Sequence, residues 1–174
     1  RVVDPADGQD VAVRETGEFW IRSAQTMIGY WNRPEDTEKA FVDGWYCTGD
    51  AGYVDADGYV FISDRVKDMI VSGGENIYPA EVERVVIDYP GVAEACVIGV
   101  PDPVYGEAVK AVVVPQPYAT VDGDALIAFT RERLARYKCP KSVDLAEALP
   151  RNATGKVLKR DLRAPYWAGR ERAV

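Results

Sequence analysis

Residues 64–68, Asp64-Arg65-Val66-Lys67-Asp68, place four charges in five positions between a strand-like segment ending at Ile62 and the apolar triplet Met69-Ile70-Val71. A charged interruption between two apolar segments marks a boundary between lobes, and the pattern changes across it. On the N-terminal side, residues 17–22 suit a strand, and Pro34-Glu35-Asp36 opens a short helix through Ala40, where proline is tolerated in the first turn. Two short strands are expected around 52–55 and 59–63, joined by the turn Asp55-Ala56-Asp57-Gly58. On the C-terminal side, Pro79 starts a helix with Val82, Val85, Val86 and Tyr89 on one face. Val-rich strands at 92–100 and 107–114 flank the turn Pro101-Asp102-Pro103. A helix is expected roughly from Asp122 to Arg136, with Leu126, Ile127, Thr130, Leu134 and Tyr137 on one side. A strand near 142–145, a loop at 150–155 and a basic helical turn through Arg163 follow. No repeats or low-complexity tracts interrupt this order.

A chain of 174 residues buries one sizeable core, or a modest core plus a smaller lobe. Its 47% hydrophobic and 28% charged content excludes a disordered chain. The sequence contains no histidine, which removes Ser-His and Cys-His nucleophiles, His-ligated metals and a His general base from its chemistry. Cys47, Cys96 and Cys139 are odd in number and widely spaced, which fits neither a disulfide framework nor a zinc site and points to a reducing, cytoplasmic setting. No apolar run reaches bilayer-spanning length, and Arg1-Val2-Val3-Asp4-Pro5 lacks the layout of a secretion signal. Without an initiator Met and starting as if in mid-strand, the sequence is expected to be a fragment of a longer protein.

The net charge of −7 hides an asymmetry, since residues 131–174 hold twelve Lys/Arg against five Asp/Glu. A basic C-terminal end suits phosphate-rich ligands such as ATP or coenzyme A, although charge alone equally describes a solvated helical surface. The basic residues are not interleaved with aromatics in the manner of a nucleic-acid surface, so no nucleic-acid partner is expected.

Three short segments carry chemistry. In Gly44-Trp45-Tyr46-Cys47-Thr48-Gly49-Asp50, a carboxylate just past a Thr-Gly turn can accept two hydrogen bonds from a vicinal diol such as a ribose. Taken alone, an Asx-type turn explains it as well. In the stretch 64–83, Gly73-Gly74 can adopt backbone angles closed to other residues and let a ligand chain pass close to the main chain, and Arg65 can contact ribose or phosphate oxygens. The plain alternative is a glycine loop flanked by surface ion pairs. In Leu149-Pro150-Arg151-Asn152-Ala153-Thr154-Gly155-Lys156-Val157-Leu158-Lys159-Arg160, a Thr-Gly turn presents a lysine as a mobile point charge to an anionic centre. The segment lacks the earlier glycine of a P-loop.

Taken together and in this order, the three segments resemble the adenylate-forming superfamily of acyl-CoA synthetases, peptide-synthetase adenylation domains and firefly luciferases. The resemblance extends through Gly17-Glu18, Gly29-Tyr30-Trp31, Asp57-Gly58-Tyr59, Gly99-Val100-Pro101-Asp102, Gly106-Glu107 and Tyr137-Lys138-Cys139-Pro140, and so covers nearly the whole chain. Ser23 stands where a glycine is common, and Tyr89 where a histidine often precedes the proline. The Gly73-Gly74-Glu75-Asn76-Ile77-Tyr78-Pro79 run is closer to acyl-CoA synthetases than to peptide-synthetase adenylation domains.

The resemblance implies an α+β architecture: residues 1–66 a β-rich remnant of a large AMP-binding domain, residues 67–174 a small mobile C-terminal lid. It implies that Asp50 binds the ATP ribose, that Arg65 contacts the nucleotide nearby, and that Lys67 is the hinge. It further implies that Lys156 reaches the carboxylate and α-phosphate during adenylation, and that Gly73 and Gly74 line the pantetheine channel, with Lys138 among the cofactor-binding residues. No metal ligand is expected in the chain, the Mg2+ site of such an enzyme lying outside it, as do the phosphate loop, adenine pocket and acyl pocket. The implied function is ATP-dependent activation of a carboxylic acid, a fatty acid first among the candidates, with transfer to CoA, and the segment alone is expected to be inactive. Acylation of Lys156 by a lysine acetyltransferase would remove its charge and switch adenylation off. The alternatives are an adenylation domain of the peptide-synthetase type and a non-catalytic CoA-binding or lid module acting in trans.

Overall fold

The computed structural model describes residues 1–170. The chain forms two compact units, Arg1–Lys67 and Asp68 onward, and each has its own five-stranded sheet.

The first unit contains β1 (Val2–Val3), β2 (Gly17–Ile21), α1 (Pro34–Lys39), β3 (Phe41–Val42), β4 (Trp45–Val54) and β5 (Val60–Arg65). The sheet runs β1-β2-β4-β3, with β5 added along the C-terminal half of β4, and every pairing is antiparallel. The Asp55 carboxylate closes the β4–β5 hairpin by accepting the Asp57 and Tyr59 amides at 3.0 and 2.9 Å. Two expectations need correction here. The strand thought to begin near residue 52 starts at Trp45, so Thr48-Gly49-Asp50 lies inside a strand rather than in a free turn. The charged interruption also shrinks to the 3-10 turn Val66–Asp68, because β5 continues through Asp64 and Arg65. Arg65 stays in the ladder since Asp50 lies directly across from it and neutralises it.

The second unit contains β6 (Ile70–Ser72), β7 (Glu75–Ile77), α2 (Pro79–Ile87), β8 (Val92–Asp102), β9 (Gly106–Pro115), α3 (Gly123–Arg131), β10 (Ser142–Leu145) and α4 (Lys159–Arg163). Strand β9 is central. It pairs antiparallel with β8 along its length, parallel with β10 at 110–113, and meets β6 at Gly106. Alternate residues of β8 and β9 feed two cores. Val97, Val109, Ala111 and Val113 pack with Ile70, Val82, Val86 and Leu126 on the side of α2 and α3. Cys96, Ile98, Val100, Ala108 and Val112 pack with Leu149, and with Val157, Leu162 and Tyr166 beyond it, on the other side. Burial on both faces explains why these strands are nearly continuous in valine.

Gly73-Gly74, expected as a loop, is the two-residue connection of a β6–β7 hairpin, with Ser72 opposite Glu75. The expected helix from Asp122 to Arg136 stops at Arg131. Its start is set by the Asp122 carboxylate, which accepts the amides of Asp124 and Ala125. At its end the Thr130 carbonyl takes the amides of both Arg133 and Leu134. The 3-10 turn Arg136–Lys138 follows, and Cys139 is extended as the residue before Pro140 must be.

Candidate functional site

In the first unit, the site residues sit on a bulge. Between the pairs Trp20–Cys47 and Glu18–Ala51, the three residues Thr48, Gly49 and Asp50 face Phe19 alone. An excess of residues on one strand bends it and re-aims its side chains. Gly49 takes φ +69°, a backbone conformation costly for a side chain. The bulge is pinned from β2: the Gly49 amide donates to Glu18 Oε1 at 2.8 Å, and the Thr48 hydroxyl donates to the Phe19 carbonyl at 2.7 Å. The second Glu18 oxygen accepts the Trp20 indole N–H at 3.0 Å. Asp50 and Arg65 meet here, Arg65 Nε lying 2.8 Å from Asp50 Oδ1, with both side chains partly open to solvent. Beside them runs an apolar groove of about 550 Å³ lined by Phe19, Ile21, Val60 and Ile62, with Thr48 and Asp50 also in its wall. Val60 and Ile62 are 59% and 67% exposed, so this unit leaves an apolar face open.

In the second unit, Lys156 stands on a tight hairpin. The Leu158 amide donates to the Pro150 carbonyl at 2.8 Å and the Asn152 amide to the Lys156 carbonyl at 3.0 Å. Asn152 Oδ1 is the hub, accepting the Thr154 amide, the Thr154 hydroxyl and the Lys156 amide at 3.0, 2.8 and 2.8 Å. Arg151 donates to the Gly155 carbonyl at 2.7 Å and pairs with Glu94 on β8. Lys156 itself is exposed, and among the described residues no carboxylate pairs with its ammonium. The geometry therefore holds the backbone of Lys156 rigidly and leaves its charge for something else.

The same unit carries a pocket of about 520 Å³ beside Gly73, lined among others by Tyr105, Tyr137, Arg131, Arg136 and Lys141. Gly73 and Gly74 have φ +63° and +89°, the pair of left-handed residues that a two-residue hairpin with type I′ geometry requires. The Gly73 amide donates to the Tyr105 carbonyl at 2.9 Å. Lys141 Nζ lies 3.8 Å from the Tyr105 ring centroid and donates to Asp102 at 3.0 Å. The amides of Tyr105 and Val104, then Lys141, hold the Asp102 carboxyl below its ordinary range. Three cations outnumber the one carboxylate in the wall, Glu75, and with two phenol rings around the same cavity they suit an anionic ligand with a planar end. Lys138 does not line this pocket; its ammonium donates to both oxygens of Glu81 at 2.8 and 2.7 Å, which ties the 136–140 turn to α2.

Lys67 lies exposed in the 3-10 turn Val66–Asp68, at the end of the first unit. Among the described residues no group of His, Cys, Asp and Glu side chains could hold a metal ion. No helix among them is long and apolar enough to cross a membrane. Glu18, Asn152, Tyr105, Arg131, Arg136 and Lys141 were not singled out from the sequence as site residues. Asn152, four residues before Lys156, and Glu18, in the Gly17-Glu18 segment of the resemblance, had a local signal.

Residues 81–156 match the family model of the AMP-binding enzyme C-terminal domain. The chain is 52% identical over 166 residues to a feruloyl-CoA synthase of an Amycolatopsis species, covering 95% of this chain and 34% of that protein. It is 52% identical over 163 residues to the long-chain-fatty-acid–CoA ligase FadD13 of Mycobacterium tuberculosis, covering 92% and 32%. Among solved structures it is similar to ATP-bound MatB from Rhodopseudomonas palustris, with a TM-score of 0.87 at 41% identity over 95% of this chain and 33% of that one. The chain thus spans about a third of the length of the curated relatives it matches.

Proposed function

We propose, on the premise that residues 81–156 belong to the AMP-binding enzyme C-terminal domain family, that this chain supplies the lid and nucleotide-edge residues of an AMP-forming acid–thiol ligase. In the first half-reaction a carboxylate oxygen attacks the α-phosphorus of ATP, the bond to pyrophosphate breaks, and acyl-adenylate forms. In the second, the CoA thiolate attacks the acyl carbon and AMP leaves. Both reactants of the first step are anionic, so a positioned ammonium stabilises the charge that builds up between them. Lys156 has that role, Asp50 accepts the ribose hydroxyls, and Arg65 orients Asp50 and contacts the nucleotide. The lid, residues 67–174, swings about Lys67 between the two half-reactions, which clears Lys156 from the thiol's path.

Gly73 and Gly74 line the pantetheine channel in this reading, and the cationic pocket beside them takes the phosphorylated end of CoA. Lys138 serves that site by tying down the turn that carries Tyr137. Mg2+ accompanies ATP in this reading, held by ligands outside this chain. The acid is a fatty or aryl carboxylic acid, in keeping with relatives named for feruloyl and long-chain fatty acyl substrates. The three cysteines are unpaired, which suits a reducing cytoplasmic setting. Acetylation of Lys156 would remove the catalytic charge and offers a route to regulation.

The observation that carries this reading is the Lys156 hairpin, rigid in its backbone and exposed at its ammonium. The test is Lys156→Ala in the complete enzyme, with the half-reactions assayed separately. Pyrophosphate release should fall about a hundred- to a thousand-fold, the range for removing one charge-stabilising donor. Conversion of supplied acyl-adenylate to thioester should persist. Equal loss in both halves would make Lys156 structural and sink the reading.

A further inference from the structure

Helix α4, Lys159–Arg163, begins three residues after Lys156. It is five residues long and has no side-chain cap at its N-terminus. A helix this short does not hold itself together. Tertiary contacts hold it instead. Leu162 packs against the second core. Two of its three cations, at i and i+4, reach into the unit: Lys159 Nζ lies 2.9 Å from Glu83 Oε1 on α2, and Arg163 Nη1 lies 3.0 Å from Asp68 Oδ1. The four side chains are 15%, 23%, 14% and 13% exposed, so these pairs are largely removed from solvent screening. Glu83 Oε1 also accepts the Val97 amide at 2.8 Å, which locks the pair to β8. The neighbouring Cys96 thiol is pushed up to about 12, first by burial and then by Glu83, as expected beside carboxylates in a dry setting.

Asp68 is the first residue of the second unit and follows Lys67 directly. It is bonded covalently to the turn that ends the first unit and ionically to the helix that continues from Lys156. The other arm of the Lys156 hairpin is tied to β8 by Arg151 and Glu94. We infer that the Arg163–Asp68 pair, seconded by Lys159–Glu83, is a positioning device that makes Asp68, α4 and the Lys156 hairpin one rigid body, so that reorientation at Lys67 is delivered to the Lys156 ammonium. This rests on the proposed role of Lys156 in adenylation. None of the four residues touches the reacting atoms; each acts through Lys156. The physical requirement is strict, because misplacing a reacting group by 1 Å can cost about a hundredfold in rate.

The test uses the complete enzyme carrying Arg163→Met, Arg163→Lys, Lys156→Ala, and Lys156→Ala combined with Arg163→Met. Pyrophosphate release and thioester formation from supplied acyl-adenylate are measured on each. Arg163→Met should lower kcat for pyrophosphate release by about tenfold to a hundredfold with KM for ATP little changed. It should leave the thioester half-reaction intact. Arg163→Lys, which keeps the charge, should recover most of the loss. In the Lys156→Ala background, Arg163→Met should cost nothing further, because a residue that acts only through Lys156 has nothing left to position. Unchanged pyrophosphate release, equal loss in both halves, or an additive loss on top of Lys156→Ala would each overturn the inference. Full adenylation by Lys156→Ala alone would instead overturn the underlying function, a separate and recognisable outcome. If Arg163→Met does not fold, Asp68→Asn combined with Arg163→Met removes both charges of the pair and is read by the same criteria. Failure of that variant to fold would make the pair structural only and overturn positioning.

Discussion

Gly73 and Gly74 both sit at positive φ, yet they differ in what a side chain would meet. A Cβ on Gly73 would lie 3.0 Å from Tyr105 Cδ1, whereas one on Gly74 would meet nothing within 4 Å. Replacing either by alanine carries the same kind of backbone strain, about 1–2 kcal/mol for a left-handed residue. Only Gly73→Ala also crowds Tyr105, a ring that already carries the Lys141 ammonium at 3.8 Å. The side chain it displaces belongs to the cationic pocket proposed to take CoA. In the complete enzyme, Gly73→Ala should therefore raise KM for CoA and slow thioester formation several-fold more than Gly74→Ala does, while both leave pyrophosphate release near the parent rate. Steady-state assays at varied CoA would check this. Equal effects of the two substitutions would mean that backbone strain alone matters and that Tyr105 has no part in the site.

At the scale of elements, the segment after α4 is fastened to the sheet by a small polar cluster. Lys110 on β9, only 8% exposed, lies 2.6 Å from Asp144 on β10, and the Tyr166 hydroxyl donates to the same carboxylate. Burial opposes ionisation of Asp144, but the hydrogen bonds from Lys110 and Tyr166 outweigh it and bring its pKa below the ordinary value. The Tyr166 pKa rises to about 12, first because it donates to Asp144 and then through burial. A lowered carboxylate contributes stability above its unfolded pKa, about 3.9, and loses it as pH falls through the folded value. A raised phenol contributes below about 10 and loses its share as pH climbs toward 12. Asp144→Asn should thus destabilise by about 1 kcal/mol at neutral pH, a modest figure because Asp144 remains partly solvated. The gap between variant and parent should narrow below about pH 4 and above about pH 10. Thermal melts across pH would show it, and a constant gap at every pH would remove the cluster from the account. None of this cluster was legible in the sequence, since Lys110, Asp144 and Tyr166 lie on three separate elements. The strands and helices were legible where burial imposes a period. Valine runs marked β8 and β9, and the spacing of Val82, Val86 and Tyr89 marked α2. What escaped depends on distant partners. The Thr48–Asp50 bulge needs Glu18, which is 31 residues from Gly49, and the cationic pocket assembles Tyr105, Arg131 and Lys141 only once the strands have paired. Short motifs survive as sequence, whereas the residues that orient them do not.

Over the whole molecule, each unit has its own sheet and the chain passes from one to the other at Lys67 and Asp68. An enzyme that must present an ammonium in one step and withdraw it in the next needs torsions there that can change. Val66–Asp68 forms a 3-10 turn, whose φ of roughly −50 to −70° overlaps the value near −65° that proline enforces. Lys67→Pro should therefore keep φ at residue 67 within the range of this turn while closing off other values, at the cost of one amide donor and of crowding Val66, whose helical angles a following proline disfavours. The expected result in the complete enzyme is uncoupling. If the retained orientation is the one that brings Lys156 to the α-phosphate, pyrophosphate release persists and thioester formation falls by about a hundredfold, the order of loss for a group held out of place. Lys67→Ala, which keeps the torsions free, separates the backbone effect from loss of the side chain. Both rates are to be measured on one preparation whose melting temperature matches the parent. A solvated turn residue with no mechanical role would give parallel changes in the two rates, or none, and would move the hinge away from Lys67. Because Asp68 follows at once and is clasped by Arg163, torsional freedom on the far side of it is already spent on the ion pair. The proposed hinge is therefore placed at or before Lys67, which is why proline at this position, rather than at Asp68 or Met69, is the discriminating substitution.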